Sequence, residues 1–210
     1  MTAALASRPA LLRRALRLEY LTVGWNLVEG TIAIAAATAS GSVALLGFGI
    51  DSFVESASGS VMIWRLLAER NADADDGERI EQVERRAQKL VAASLILLAA
   101  YIAWDSITSI LAGDRPQPSL VGILLAIASL SVMWWLAREK RRVGTALGSR
   151  AMTADAFQTD ACFWLSLFLL VGIGANALFG WWWADPLAAL GMTFFIGREA
   201  LEAWRGEDDD

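Results

Sequence analysis

The chain of 210 residues contains no histidine and only one cysteine, Cys162. Without histidine there is no Ser-His or Cys-His catalysis, no zinc site built on imidazole, and no histidine pH switch. A single cysteine excludes a disulfide within the chain. No other pair of nucleophile and base is visible, so we predict that the chain is not an enzyme and that its polar residues serve another purpose.

Apolar residues are abundant and are separated from the charged ones. Hydrophobic residues make up 56% of the chain and charged residues 20%, with a mean hydropathy of +0.44. Runs of about 20 mostly apolar residues lie between short charged stretches, and about 20 helical residues cross the hydrocarbon core of a bilayer. We therefore predict an all-α membrane protein with six transmembrane helices, at 19–38, 43–64, 90–111, 119–137, 154–179 and 186–204.

The basic residues predict the orientation of these spans. Of the 18 basic residues, 17 fall on one side of the predicted membrane and only Arg115 on the other. The positive-inside rule makes the first side cytoplasmic, so both termini are expected there. The predicted parts are a cytoplasmic N-terminal segment (1–18), a six-span transmembrane domain (19–204) and an acidic cytoplasmic tail (205–210). We expect a multi-pass protein of the bacterial inner membrane. The net charge of −5 gives no reason to expect nucleic-acid binding.

Six acidic residues lie inside the predicted spans. An ionisable group within a bilayer costs at least a few kcal/mol, which makes each one a candidate for function. No lysine or arginine lies deep in a predicted span, so these carboxyl groups are expected to be protonated, hydrated or bound to an external cation. The pattern predicts a pathway for cations. The six residues are Glu29, Asp51, Glu55, Asp105, Asp155 and Asp160.

Spacing brings some of these residues together. Asp51 and Glu55 are four residues apart and share one face of the second span. The fifth span runs antiparallel to the second and carries on one face a polar stripe of Asp155, Gln158, Thr159 and Cys162. At 1.5 Å per residue, both sets reach a depth just inside the midplane of a core about 30 Å thick. We predict a site of two carboxylates, one amide oxygen and one thiolate, with Asp155 as a contact at its inner rim.

Three segments resemble the transmembrane part of the cation diffusion facilitator family. They are SVALL at 42–46 followed by DSFVE at 51–55, GSRAMTAD at 148–155, and WADPLAAL at 183–190. The resemblance implies a transporter of divalent metal ions and a homodimer. The family's His-x-x-x-Asp motif falls on Gln158 and Cys162, which match it in position and differ in identity. Most members carry a cytoplasmic metal-binding domain after the sixth span, and here we expect none.

These observations predict a divalent metal cation transporter that exports its ion by metal/proton antiport. Zinc is the first expectation for the ion, with cadmium, cobalt, iron and manganese as alternatives. The alternative function is a membrane metal sensor or accessory subunit that does not transport, which the missing histidine and missing domain favour.

Several residues keep a second interpretation. Gln158 suits a hydrogen bond between helices, Cys162 a small apolar position, and Asp155 a helix cap. Whether Glu29, Asp105 or Asp160 joins the pathway stays open at this point.

Overall fold

The fold is taken from a computed structural model, which describes residues 8–40, 43–71, 77–113, 119–181 and 183, with single positions between 187 and 204. This part of the chain contains long helices and no strand, which confirms the all-α prediction. The predicted sixth span lies mostly outside the described residues, and its described positions are helical. The continuous helices are α1 (Arg8–Ser40), α2 (Val43–Arg70), α3 (Gly77–Ala112), α4 (Leu120–Leu147) and α5 (Arg150–Phe179).

The helices extend beyond the apolar runs from which they were predicted. α3 begins at Gly77 and α4 continues to Leu147, so the stretch between the predicted fourth and fifth spans is mostly helical. Its arginine, lysine, glutamate and alanine residues all favour helix. Gly148 then ends α4 in the left-handed conformation, with φ of 66° and its backbone N–H directed to the carbonyls of Gly144 and Thr145.

Three of the described helices are long and apolar enough to cross a membrane, as judged by length and composition. They are Glu81–Ala112, Leu120–Leu147 and Arg150–Val171. α1 and α2 are not among these three, and each carries acidic residues along its length, among them Glu29 in α1 and Asp51 in α2. The six-span topology and the position of the termini therefore stay predictions.

Four of the helices form the bundle that positions the polar residues. α1 packs along α2 and α4 along α5, and the two pairs meet through contacts of α1 with α4 and of α2 with α5. α3 packs against α2 and α5. The largest apolar cluster among the described residues draws on all five helices, and includes Leu16, Met62, Val91, Met133 and Met152. The faces of α2 and α5 that carry the acidic residues therefore meet inside the bundle.

Two glycines allow α1 and α2 to approach closely. A Cβ atom on Gly30 would lie 3.0 Å from the carbonyl oxygen of Gly49, and a Cβ atom on Gly49 would lie 3.1 Å from the carbonyl oxygen of Gly30. Small residues of this kind let helix backbones touch within membranes. This contact places Glu29 of α1 beside Ser52 of α2.

We predict that Gly49→Ala destabilises the protein by on the order of 1–3 kcal/mol, because the added methyl group forces the two backbones apart. The measurement is thermal unfolding of the purified protein in detergent. Gly24→Ala is the matched control, since a Cβ atom there meets nothing within 4 Å. Equal midpoints for the two variants would contradict close packing at Gly49.

Candidate cation site

Asp51 and Glu55 of α2 are buried against α5, with 4% and 1% of their surfaces exposed. The Cys162 thiol donates a hydrogen bond to Asp51 Oδ2, with 3.1 Å between sulfur and oxygen. The Thr159 hydroxyl donates to Glu55 Oε1 at 2.7 Å. Two carboxylates one turn apart on α2 thus face a thiol and a hydroxyl one turn apart on α5.

Each of these carboxylates keeps one buried oxygen without a hydrogen-bond partner among the described residues. These atoms are Asp51 Oδ1 and Glu55 Oε2. Glu29 Oε1 on α1 is also buried without a partner among these residues. The other oxygen of Glu29 accepts a hydrogen bond from Ser52 at 3.2 Å. A buried polar atom without a partner costs about 1–3 kcal/mol, and more when charged. A bound cation or a proton would remove that cost.

Gln158 lies on the same helix but is directed to α3. Its side-chain oxygen accepts a hydrogen bond from Ser94 at 3.1 Å, and its amide nitrogen is buried without a partner in the described part of the chain. The structure therefore shows the bond between helices that the sequence left as a second interpretation. Thr159, the next residue, occupies the place beside Glu55. The sequence had placed Thr159 in the polar stripe without naming it as a site residue.

Asp155 has a cationic partner, so the prediction that no basic residue accompanies the buried acids is wrong. Lys140 of α4 is fully buried. Its Nζ lies 2.6 Å from Asp155 Oδ2 and 3.0 Å from Glu19 Oε2 of α1. Ser58 of α2 donates to the second oxygen of Asp155 at 3.1 Å. Lys140 falls between the predicted fourth and fifth spans, whereas the continuation of α4 turns it into the bundle.

Lys140 is also connected to the carboxylates of α2. Its ammonium group donates a hydrogen bond to Thr159 Oγ1 at 3.3 Å, and the same hydroxyl donates to Glu55. One lysine and one hydroxyl thus join acidic side chains from three helices. A cation that enters beside Glu55 would be repelled by the positive charge of Lys140.

Asp160 lies apart from these contacts. Asp160 forms an ion pair with Arg141 of α4 and keeps 29% of its side chain exposed. Asp105 is half-buried in the last turns of α3. Among the described residues, no three His, Cys, Asp or Glu side chains are grouped so as to hold a metal ion. The structure thus brings Asp51 to Cys162 and Glu55 to Thr159, while Gln158 and Asp155 are engaged elsewhere.

We predict that Lys140→Met lowers the free energy of unfolding by about 3–5 kcal/mol, because it leaves Asp155 and Glu19 buried without their counter-ion. Thermal unfolding in detergent provides the measurement. Lys89→Met is the matched control, since Lys89 is exposed on α3. Adding Asp155→Asn to the first variant is expected to restore part of the loss. A Lys140→Met protein as stable as the wild type would show that the ion pairs contribute nothing.

Comparison with known proteins finds a match to one family model. Residues 21–205 match the family model described as the cation efflux transmembrane domain. A Synechocystis protein named as an uncharacterized transporter is 30% identical over 177 residues, which are 84% of this chain and 57% of that protein. The magnetosome protein MamB of Magnetospira is 26% identical over 184 residues, which are 87% of this chain and 61% of MamB.

A third relative is the cation-efflux pump FieF of Shewanella oneidensis, which is 22% identical over 178 residues. That match covers 82% of this chain and 58% of FieF. The chain therefore spans about three fifths of the length of the relatives it matches.

Proposed function

Because the chain belongs to the cation efflux family, we propose that it transports a divalent metal ion that binds between α2 and α5. The observation that carries this proposal is the contact of Asp51 with Cys162, next to carboxylate oxygens on Asp51 and Glu55 that lack partners. In the proposed bound state these three side chains turn toward one ion. Gln158 and Asp155 stay predicted ligands, and each has to exchange its present bond with Ser94 or Lys140 to join.

The donor types favour zinc. A cysteine thiolate is a soft ligand, and zinc accepts sulfur together with carboxylate oxygen in a tetrahedral arrangement. Cadmium and cobalt suit the same set, while iron and manganese suit its carboxylates better than its sulfur. The ligands come from facing helices, which lets a small shift of one helix against the other open or close the site.

The thiol supplies a route for proton exchange. In the structure the Cys162 thiol forms a hydrogen bond with Asp51. A metal ion binds the thiolate, so binding releases the thiol proton. Release of the metal on the opposite side of the membrane then allows the thiol and the carboxylates to take protons again. Rocking of one helix group against another around this site provides alternating access. The homodimer implied by the family resemblance and the bacterial inner membrane stay predictions.

The test is zinc flux into proteoliposomes under a pH gradient. We expect the wild type to move zinc and Asp51→Asn to reduce the rate by on the order of 10- to 100-fold. A loss of this size follows even when the residue removed only forms a hydrogen bond to a metal ligand. Glu81→Gln is the control, because Glu81 is exposed on α3 and pairs with Arg85.

Two outcomes would contradict the proposal. A wild type that moves no divalent ion, although it binds one, would favour the sensor or accessory subunit. Equal flux by wild type and Asp51→Asn would remove Asp51 from the pathway.

A further inference from the structure

A groove of about 800 Å³ opens on the surface between α4 and α5. It lies away from the candidate cation site, and its walls are arginine and aromatic side chains. The charged side chains and the tryptophans that line the groove are Trp134, Arg138, Arg141 and Arg142 of α4, with Asp160 and Trp164 of α5. The groove therefore combines positive charge with apolar surface in one place.

The positive charge of the groove exceeds its negative charge. Arg141 pairs with Asp160, and Arg142 lies 2.8 Å from Glu139. Arg14 of α1 binds the other oxygen of Glu139. Arg138 stacks over the Trp134 ring, 4.9 Å from its centre. Three arginines thus pair with two carboxylates, and Arg138 adds a fourth positive charge. The side chains of Arg141 and Arg142 remain 53% and 67% exposed.

The charge is concentrated at one end of the groove. Arg138 is the first charged residue after the apolar run that begins at Leu120. Trp134 lies one turn before it, within that run, and Trp164 lies one turn beyond Asp160 toward the middle of α5. Tryptophan is enriched at the boundary between hydrocarbon and headgroups. The aromatic end of the groove thus points into the bilayer and the arginine end to the headgroup level.

We propose that this groove binds one anionic phospholipid, with its phosphate at Arg138 and Arg142 and its acyl chains along Trp134 and Trp164. The guanidinium group presents donors in a planar fork that fits phosphate oxygens, and basic pockets between membrane helices on the cytoplasmic side recognise such headgroups. A zwitterionic lipid has the same chains but brings a compensating positive charge, so the arginines distinguish the two. The proposal is independent of the metal site.

The bound lipid also has a structural consequence for α4. Lys140 and Arg141 are neighbours on α4, and Lys140 contacts the buried Asp155 while Arg141 contacts Asp160 at the groove. A lipid that contacts the groove face braces the same turn that holds Lys140 in the bundle. We expect the anionic lipid to raise the unfolding temperature of the protein.

Native mass spectrometry of the delipidated protein in detergent tests the proposal. Phosphatidylglycerol and phosphatidylcholine with identical chains are the probes. The wild type is expected to retain one phosphatidylglycerol in preference to phosphatidylcholine. The double variant Arg138→Gln/Arg142→Gln is expected to lose on the order of 10- to 30-fold in affinity for phosphatidylglycerol only, since each basic residue contributes about a factor of five near an anionic surface.

Two further variants act as controls. Arg17→Gln/Arg86→Gln removes the same charge from exposed positions outside the groove and is expected to bind as the wild type does. Arg138→Lys/Arg142→Lys keeps the charge without the planar fork and is expected to lie between wild type and the Gln variant.

Three results would overturn the proposal. One is equal retention of the two lipids by the wild type. Another is an equal loss in the groove variant and the Arg17/Arg86 control, which would show a nonspecific effect of charge. The third is displacement of the lipid by millimolar inorganic phosphate, which would identify a site for free anions.

Discussion

A carboxylate inside an apolar helix bundle needs a positive charge, a proton or a full set of hydrogen-bond donors, and this requirement organises the structure. The bundle meets it in two ways. Asp155 and Glu19 share the ammonium group of Lys140. Asp51 and Glu55 receive only one thiol and one hydroxyl, and each keeps an oxygen without a partner in the described bundle. The first pair is therefore compensated by the protein itself, whereas the second keeps buried oxygens that a proton or a bound cation would satisfy.

Part of this arrangement follows directly from the sequence. The spacing of Asp51 and Glu55 places them on one face of a helix, and the rise per residue puts Cys162 of an antiparallel helix at a similar depth. In the structure Cys162 contacts Asp51, which agrees with that similar depth. Apolar runs of about 20 residues likewise predicted helices, because each residue in such a run has to satisfy its backbone within its own segment.

The rest depends on contacts that no local pattern reveals. Lys140 stands in a strongly charged stretch, which is typical of a solvated loop, yet the helix continues through it and turns this one residue inward. Gln158 stands at the expected ligand position, but its oxygen is taken by Ser94, 64 residues away in the chain. Both differences arise from tertiary partners. Thr159 was not predicted as a site residue for the same reason, because its contact with Glu55 depends on how α2 and α5 pack.

Cys162 gives the most direct test of the central claim, because the chain has no other cysteine. The measurement is X-ray absorption at the zinc edge on protein loaded with one zinc ion, for the wild type and for Cys162→Ser. The account predicts one sulfur ligand at about 2.3 Å together with oxygen ligands at about 2.0–2.2 Å in the wild type. It also predicts the loss of the sulfur signal in the variant. A wild-type spectrum with oxygen ligands alone would contradict an ion held between α2 and α5 by Cys162.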